Sequence, residues 1–203
     1  MAKIKLCGLF RECDIHYANE AFPDYAGFVF AESRRKIGIA DARNYRKLLD
    51  PRIKAVGVFE NQDPQFIQKL YEEGIIDIAQ LHGDEDALYI SKLKEKTDLK
   101  LVKAVRVKDS LDIERADNLD VDWLLLDAAS AKARGGSGEM FDWSLVSDGN
   151  KPFFLAGGIN INNVKAALQL NPFSLDVSSG IETNGLKNRE KMIEIVRKVR
   201  ELR

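Results

Sequence analysis

Phe153-Phe154-Leu155-Ala156-Gly157-Gly158-Ile159-Asn160, followed by Leu175-Asp176-Val177-Ser178-Ser179-Gly180-Ile181-Glu182, is the stretch that decides the fold. Each half is a short apolar strand that breaks into small residues where a helix is about to start. Glycine lets the backbone approach a ligand closely, and free amides at a helix N-terminus attract anions. Taken singly, either glycine signal could serve only a tight strand-to-helix turn. Two in succession, closing a chain of alternating strands and helices, point to one phosphate held between them. The loops after strands 7 and 8 of a (β/α)8 barrel form such a site. Gly157, Gly158, Ser179 and Gly180 are therefore the candidate phosphate-binding residues.

Working outward, apolar and β-branched runs predict strands at Ile4–Cys7, Tyr25–Phe30, Ile53–Phe59, Ile76–Leu81, Leu99–Val105, Trp123–Leu126, Pro152–Leu155 and Ser174–Val177. Helical stretches fall between them: Arg11–Ala21, Asp41–Leu49 with Ala40-Asp41 as its cap, Asp63–Glu73 with Pro64 in its first turn, and one starting at Gly83-Asp84-Glu85 and fading near Thr97. Further helices are predicted at Asp109–Asn118, Asp142–Val146, Ile161–Leu170 and Arg189–Leu202. A loop rich in Gly, Ala and Ser runs from Ala128 to Glu139. Eight strand–helix units of about 25 residues each match a compact βα repeat. The expectation is an α/β fold, a single (β/α)8 TIM barrel domain over residues 1–203. An open doubly wound sheet is the alternative, but no G-x-G-x-x-G follows the first strand.

Composition narrows the function classes. The 203 residues carry a formal net charge of -1, with 45% hydrophobic and 31% charged residues. No basic surplus suggests a nucleic-acid partner, and no apolar run is long enough for a membrane span. Cys7 and Cys13 fit neither a disulfide framework nor a zinc pattern. Met1-Ala2-Lys3-Ile4-Lys5 leads straight into a charged strand without a secretory apolar region, so a cytoplasmic location with free thiols is expected. With two histidines in the chain, no metal site is expected.

In a barrel the chemistry belongs at the C-terminal ends of the strands. Those ends hold Cys7-Gly8, Arg34 and Arg35, His82, Arg106 and Asp127. Alternation places Lys3, Lys5 and Cys7 on one face of the first strand, with Cys7 pointing inward. Cys7 is either a nucleophile or acid–base group, or a small buried hydrophobe; Lys5 is the cation that could favour its thiolate. Cys13 reads as a core residue. Asp127 ends the apolar run Trp123-Leu124-Leu125-Leu126, which favours its protonated form and suits a general acid, or it caps the following loop. His82 orients a ligand or bonds within its own loop. Arg34 and Arg35 either pair a substrate carboxylate or form a solvated basic turn.

Taken in order, these pieces resemble phosphoribosylanthranilate isomerase, a family of small barrels. The resemblance runs through Lys5-Leu6-Cys7-Gly8, Gly27-Phe28-Val29-Phe30, Val56-Gly57-Val58-Phe59, Gln80-Leu81-His82-Gly83-Asp84-Glu85 and Leu125-Leu126-Asp127. It continues through Gly135-Gly136-Ser137-Gly138, Phe141-Asp142-Trp143, Leu155-Ala156-Gly157-Gly158 and Asp176-Val177-Ser178-Ser179-Gly180-Ile181-Glu182. It implies an aldose–ketose isomerase of tryptophan biosynthesis, acting on a small sugar phosphate without a cofactor, as a monomer or homodimer. The implied reaction is the Amadori rearrangement of N-(5-phosphoribosyl)anthranilate to 1-(2-carboxyphenylamino)-1-deoxyribulose 5-phosphate. The resemblance assigns Asp127 as general acid, Cys7 as general base, and Arg35, His82 and Asp176 as substrate-binding residues.

The chain departs from the family pattern in places. Ser33-Arg34-Arg35 replaces Ser-Pro-Arg, which leaves Arg34 and Arg35 as rivals for the anthranilate carboxylate. Phe10 stands where a small hydroxyl residue is common, Ser137 replaces threonine, and Asn188 replaces an aspartate before the last helix, where either residue caps. Three alternatives differ in what they require. A histidine-pathway isomerase carries aspartate where this chain has Cys7. A pentulose-phosphate epimerase needs metal-binding histidines. A non-catalytic phosphate-binding protein needs neither Cys7 nor Asp127.

Overall fold

The computed structural model describes residues 2–128 and 150–202. Among the described residues, eight parallel strands close into a barrel in sequential order. They are β1 (Lys3–Cys7), β2 (Tyr25–Val29), β3 (Lys54–Phe59), β4 (Ile78–Leu81), β5 (Lys100–Val107), β6 (Trp123–Ala128), β7 (Phe153–Leu155) and β8 (Ser174–Val177). The ring shuts where Lys5 of β1 stands opposite Asp176 of β8. Helices α1 (Glu12–Ala21), α2 (Ile39–Leu48), α3 (Pro64–Glu72), α4 (Ala87–Lys94), α5 (Ser110–Asp117), α6 (Val164–Leu168) and α7 (Arg189–Glu201) lie between or after the strands. The expected loop at Ala128–Glu139, the helix at Asp142–Val146, and the motifs around Ser137 and Trp143 lie outside the described residues, apart from the strand end at Ala128.

Alternation along each strand builds two cores. Tyr25, Val56, Ile78, Val102, Leu125 and Phe154 point inward and fill the lower barrel. Their neighbours, including Ile4, Leu6, Phe28, Leu81, Leu124 and Leu155, pack outward against the helices. Helix α7 answers with Met192, Ile195, Val196 and Val199, the spacing of one buried face. Two residues beyond the inward apolar layer the positions turn polar, Gln80 after Ile78 and Asp127 after Leu125; on β8 and β1 the inward pairs are Ser174 with Asp176 and Lys5 with Cys7.

The lower rim repeats one device. The Asp24 carboxylate accepts the Ile4 amide at 2.9 Å, that of Asp77 the Ala55 amide at 2.8 Å, and that of Asp122 the Leu101 amide at 2.9 Å. Each aspartate precedes an even-numbered strand and ties down the start of the strand before it. A lysine precedes each of these amides. Lys54 and Lys100 reach the same aspartates, while Lys3 turns to the Tyr25 hydroxyl.

Several boundaries differ from the sequence reading. Helix α2 starts after Gly38, whose backbone is extended, so Ala40-Asp41 lies within the helix rather than capping it. Helix α4 starts after Asp86, whose carboxylate accepts the Tyr89 amide. Gly83-Asp84-Glu85 is instead a loop. The buried Glu85 carboxylate accepts the amides of Asn61 and Gly83 and pairs with Lys103. Helix α6 is only five residues long. Side chains of Asn160 and Asn163 bond to nearby amides, and such local bonds compete with a helical start. Strand β5 runs to Val107, which places Arg106 within the strand opposite Asp127. Cys13 is half-buried, not core; the buried position beside it is Asp14. The Asn188 cap forms as expected, and Asp63 caps α3 in the same way, each accepting an amide of its own first turn.

Helix α7 does not follow β8 directly. A single 3-10 turn, Ser179–Ile181, leads into a hairpin of β9 (Glu182–Thr183) and β10 (Leu186–Lys187). Asn184-Gly185 makes its turn, both residues at positive φ, the strongest short hairpin signal in the chain.

Candidate active site

The polar inward positions ring one hollow of about 370 Å³ at the C-terminal mouth. Cys7, Arg35, Gln80, His82, Asp127, Gly157, Gly158, Asp176 and Ser179 all line it. Of the strand-end and glycine-loop candidates read from the sequence, Arg34, Arg106 and Gly180 do not line it. A larger hollow of about 680 Å³ at the opposite end contains Phe153, Leu168, Phe173 and Leu202, but no carboxylate, thiol or imidazole side chain.

Lys5 organises the floor. It is fully buried, and its ammonium reaches Gln80 Oε1 at 2.7 Å, Asp176 Oδ2 at 2.9 Å and Cys7 Sγ at 3.2 Å. Burial works against its charge, yet Asp176 and Cys7 outweigh burial and hold the ammonium above its ordinary pKa. The other oxygen, Asp176 Oδ1, is buried without a hydrogen-bond partner. It belongs to a residue that lines the hollow, so a substrate hydroxyl would satisfy it.

The thiol departs from the sequence expectation. Lys5 stands beside Cys7, but burial pushes the Cys7 thiol up, Asp176 adds to that push, and the pull of Lys5 and Lys187 does not offset them. The resting group is a thiol. Its thiolate, once formed, is a stronger base for that same reason. Asp127 closes β6 with its side chain about 32% exposed, so the apolar run Trp123–Leu126 lies behind the carboxylate rather than around it. His82 Nε2 lies 3.6 Å from Asp127 Oδ2, and His82 Nδ1 lies 2.9 Å from Gln80 Nε2. Its partners are thus outside its own loop.

The arginine pair is held by a residue that sequence reasoning left without a role. Glu182 accepts Arg35 Nε at 2.7 Å and Arg35 Nη2 at 3.0 Å, together with Arg34 Nη2 and Lys187 Nζ. Burial works against the ionised Glu182, but Arg35 and Lys187 hold its carboxyl down at about 2. Of the two arginines only Arg35 lines the hollow; Arg34 is 56% exposed. The signal that could have found Glu182 and Lys187 was the Asn184-Gly185 turn, which folds one back on the other.

The two glycine loops touch. A side chain at Gly180 would place its Cβ 2.0 Å from the Ile159 carbonyl oxygen. Gly180 therefore serves the close approach of the loops. Gly157 and Gly158 take positive φ, and the Gly158 carbonyl accepts the side-chain amides of Asn160 and Asn163. No helix of the described residues is long and apolar enough to cross a membrane.

Comparison with known proteins agrees with this arrangement. The model of the N-(5'phosphoribosyl)anthranilate (PRA) isomerase family matches residues 4–198. The chain is 49% identical over 203 residues, the whole of both sequences, to the N-(5'-phosphoribosyl)anthranilate isomerase of Endomicrobium trichonymphae. Its fold superposes on the crystal structure of phosphoribosyl anthranilate isomerase from Thermotoga maritima with a TM-score of 0.88, at 34% identity over all of both chains. A second solved isomerase, in complex with reduced 1-(o-carboxyphenylamino)-1-deoxyribulose 5-phosphate, gives 0.84 at 33% identity, again over both whole chains. A floor of buried charge beneath a thiol, a carboxylate across the mouth, paired glycine loops, and full-length similarity at this level lead to one conclusion: the chain belongs to the N-(5'-phosphoribosyl)anthranilate isomerase family.

Proposed function

We propose that this chain, as one (β/α)8 domain, isomerises N-(5'-phosphoribosyl)anthranilate to 1-(2-carboxyphenylamino)-1-deoxyribulose 5-phosphate in tryptophan biosynthesis. The observation that carries the reading is a thiol and a carboxylate lining one hollow together with paired glycine loops and an arginine. Asp127 gives a proton to the furanose ring oxygen, the C1–O bond breaks, and the anthranilate nitrogen lone pair forms a cationic Schiff base. That cation acidifies the C2 proton, which the Cys7 thiolate takes, leaving an enolamine. The enol proton is then lost as C1 gains one, and the ketone forms. The proton that Cys7 gains balances the one Asp127 gave, so substrate and product are isomers.

Recognition divides between the two ends of the substrate. Arg35, braced by Glu182, meets the anthranilate carboxylate with its remaining Nη1 donors. Backbone amides of the loops at Gly157–Gly158 and Ser179–Gly180 hold the phosphate, while Asp176 and His82 meet sugar hydroxyls. The test is direct: decay of phosphoribosylanthranilate fluorescence should accelerate on adding the protein, and no acceleration would overturn the reading.

Two binding predictions follow from the geometry. Arg35→Ala should raise KM about tenfold to a thousandfold, the cost of losing a charged partner. Arg34→Ala should raise it far less, because its side chain stands outside the hollow. A larger effect from Arg34→Ala would move the carboxylate site by one residue. Gly158→Val should also raise KM strongly while leaving kcat nearly intact, because a branched side chain resists the φ of +67° found there. Inorganic phosphate should compete with substrate, and a normal KM in the valine variant would remove the phosphate from this loop.

A further inference from the structure

We infer that Gln80 is a positioning residue that fixes His82 as the neutral Nε2–H tautomer facing Asp127, and that the buried Lys5 ammonium dictates this choice. The inference rests on Asp127 being the proton donor, and it concerns how that proton is kept.

The argument begins with a count of donors. An ammonium has three N–H groups and no acceptor. Those of Lys5 meet Gln80, Asp176 and Cys7, so the Gln80 atom facing it at 2.7 Å must be the carbonyl oxygen. The reversed amide would set donor against donor inside a site from which water is excluded: Lys5 is wholly buried and Gln80 is 2% exposed. With its oxygen committed, Gln80 can only donate from Nε2. That donor lies 2.9 Å from His82 Nδ1, which must then offer a lone pair. A neutral imidazole with a bare Nδ1 carries its proton on Nε2. That nitrogen lies 3.6 Å from Asp127 Oδ2, longer than a hydrogen bond but facing the carboxylate.

The polarity therefore runs in one direction, from Lys5 through the Gln80 amide and the His82 ring to Asp127. Its consequence for the reaction is specific. His82 has no lone pair on the side of Asp127, so it cannot take the acid's proton, and the substrate ring oxygen is left as the acceptor. Once Asp127 has given up the proton, the same N–H can stabilise the carboxylate that remains.

Nitrogen-15 spectroscopy of the ring nitrogens tests this. The chain has two histidines, so His16→Gln assigns both. The wild-type enzyme should show His82 with Nδ1 bare and Nε2 protonated; Nδ1–H in the wild type overturns the inference. Gln80→Glu keeps the shape but replaces the donor by an acceptor. It should move the His82 proton to Nδ1 and lower kcat about a hundredfold, with KM changed little. Gln80→Met removes both polar atoms and should give mixed tautomers with an intermediate loss. A flipped tautomer with full turnover would overturn the mechanistic half. A normal kcat in Asp127→Asn would instead remove Asp127 as the acid while leaving the tautomer reading intact.

Discussion

Cys7→Ser should fold as the wild type does and retain less than about a hundredth of its turnover. The reason is basicity. A serine hydroxyl is a far weaker acid than even a thiol that burial has pushed above its ordinary value, so it supplies far less of the anionic base. Sulfur and oxygen are close enough in size that Lys5 and the inward layer below should keep their places. The raised thiol also sets the direction of the pH profile. The base is competent only as thiolate, so kcat/KM should climb as pH rises through the neutral range toward the thiol's raised pKa. A profile flat from neutral to alkaline pH, or an active serine variant, would take the general-base role from Cys7.

Asp127→Asn should be as damaging for the opposite step. An amide of the same shape cannot deliver a proton to the ring oxygen, so ring opening should slow by about a hundredfold or more. Asp127 pairs in register with Arg106 and meets the mouth rather than the core, so the variant should fold. Calorimetry with a reduced product analogue should show binding near the wild-type level. Loss of binding together with turnover would make Asp127 a residue that holds substrate rather than one that protonates it.

Much of this was legible before any coordinates. Strand alternation put Cys7 and Lys5 on one inward face, because a β-strand leaves few other options for Ile4 and Leu6 than the helical layer. Asp127 was visible as a polar stop to an apolar run. The glycine loops were visible because glycine is rare at the end of a buried strand without a reason. What the sequence hid was contact across the ring. Gln80 sits in a motif that was read for His82, yet only the closed barrel brings it to Lys5. Glu182 meets the arginines, and Lys187 meets Glu182, through a hairpin that looked like the approach to a helix. The thiol's direction was also out of reach, because it is a balance among burial, Asp176 and two lysines from distant segments. The starts of α2 and α4 were misread for a simpler reason: Asp41 and Asp84 fit a cap by type, but Gly38 and Asp86 occupy the turns.

The lower rim obeys a different rule from the mouth. Lys3-Ile4 with Asp24, Lys54-Ala55 with Asp77, and Lys100-Leu101 with Asp122 place one lysine–amide–aspartate arrangement at three successive strand pairs. At the fourth pair Phe173 stands before β8 in place of the aspartate. The base of the ring therefore repeats with a period of two strands, whereas at the described mouth the thiol of Cys7 and the bracing carboxylate of Glu182 each occur once. Redundancy and uniqueness are separated by the length of a strand. Damage to one clamp leaves two others of the same kind, whereas the Cys7 thiol at the described mouth has no second copy, so the base tolerates a lost clamp better than the mouth tolerates a lost thiol.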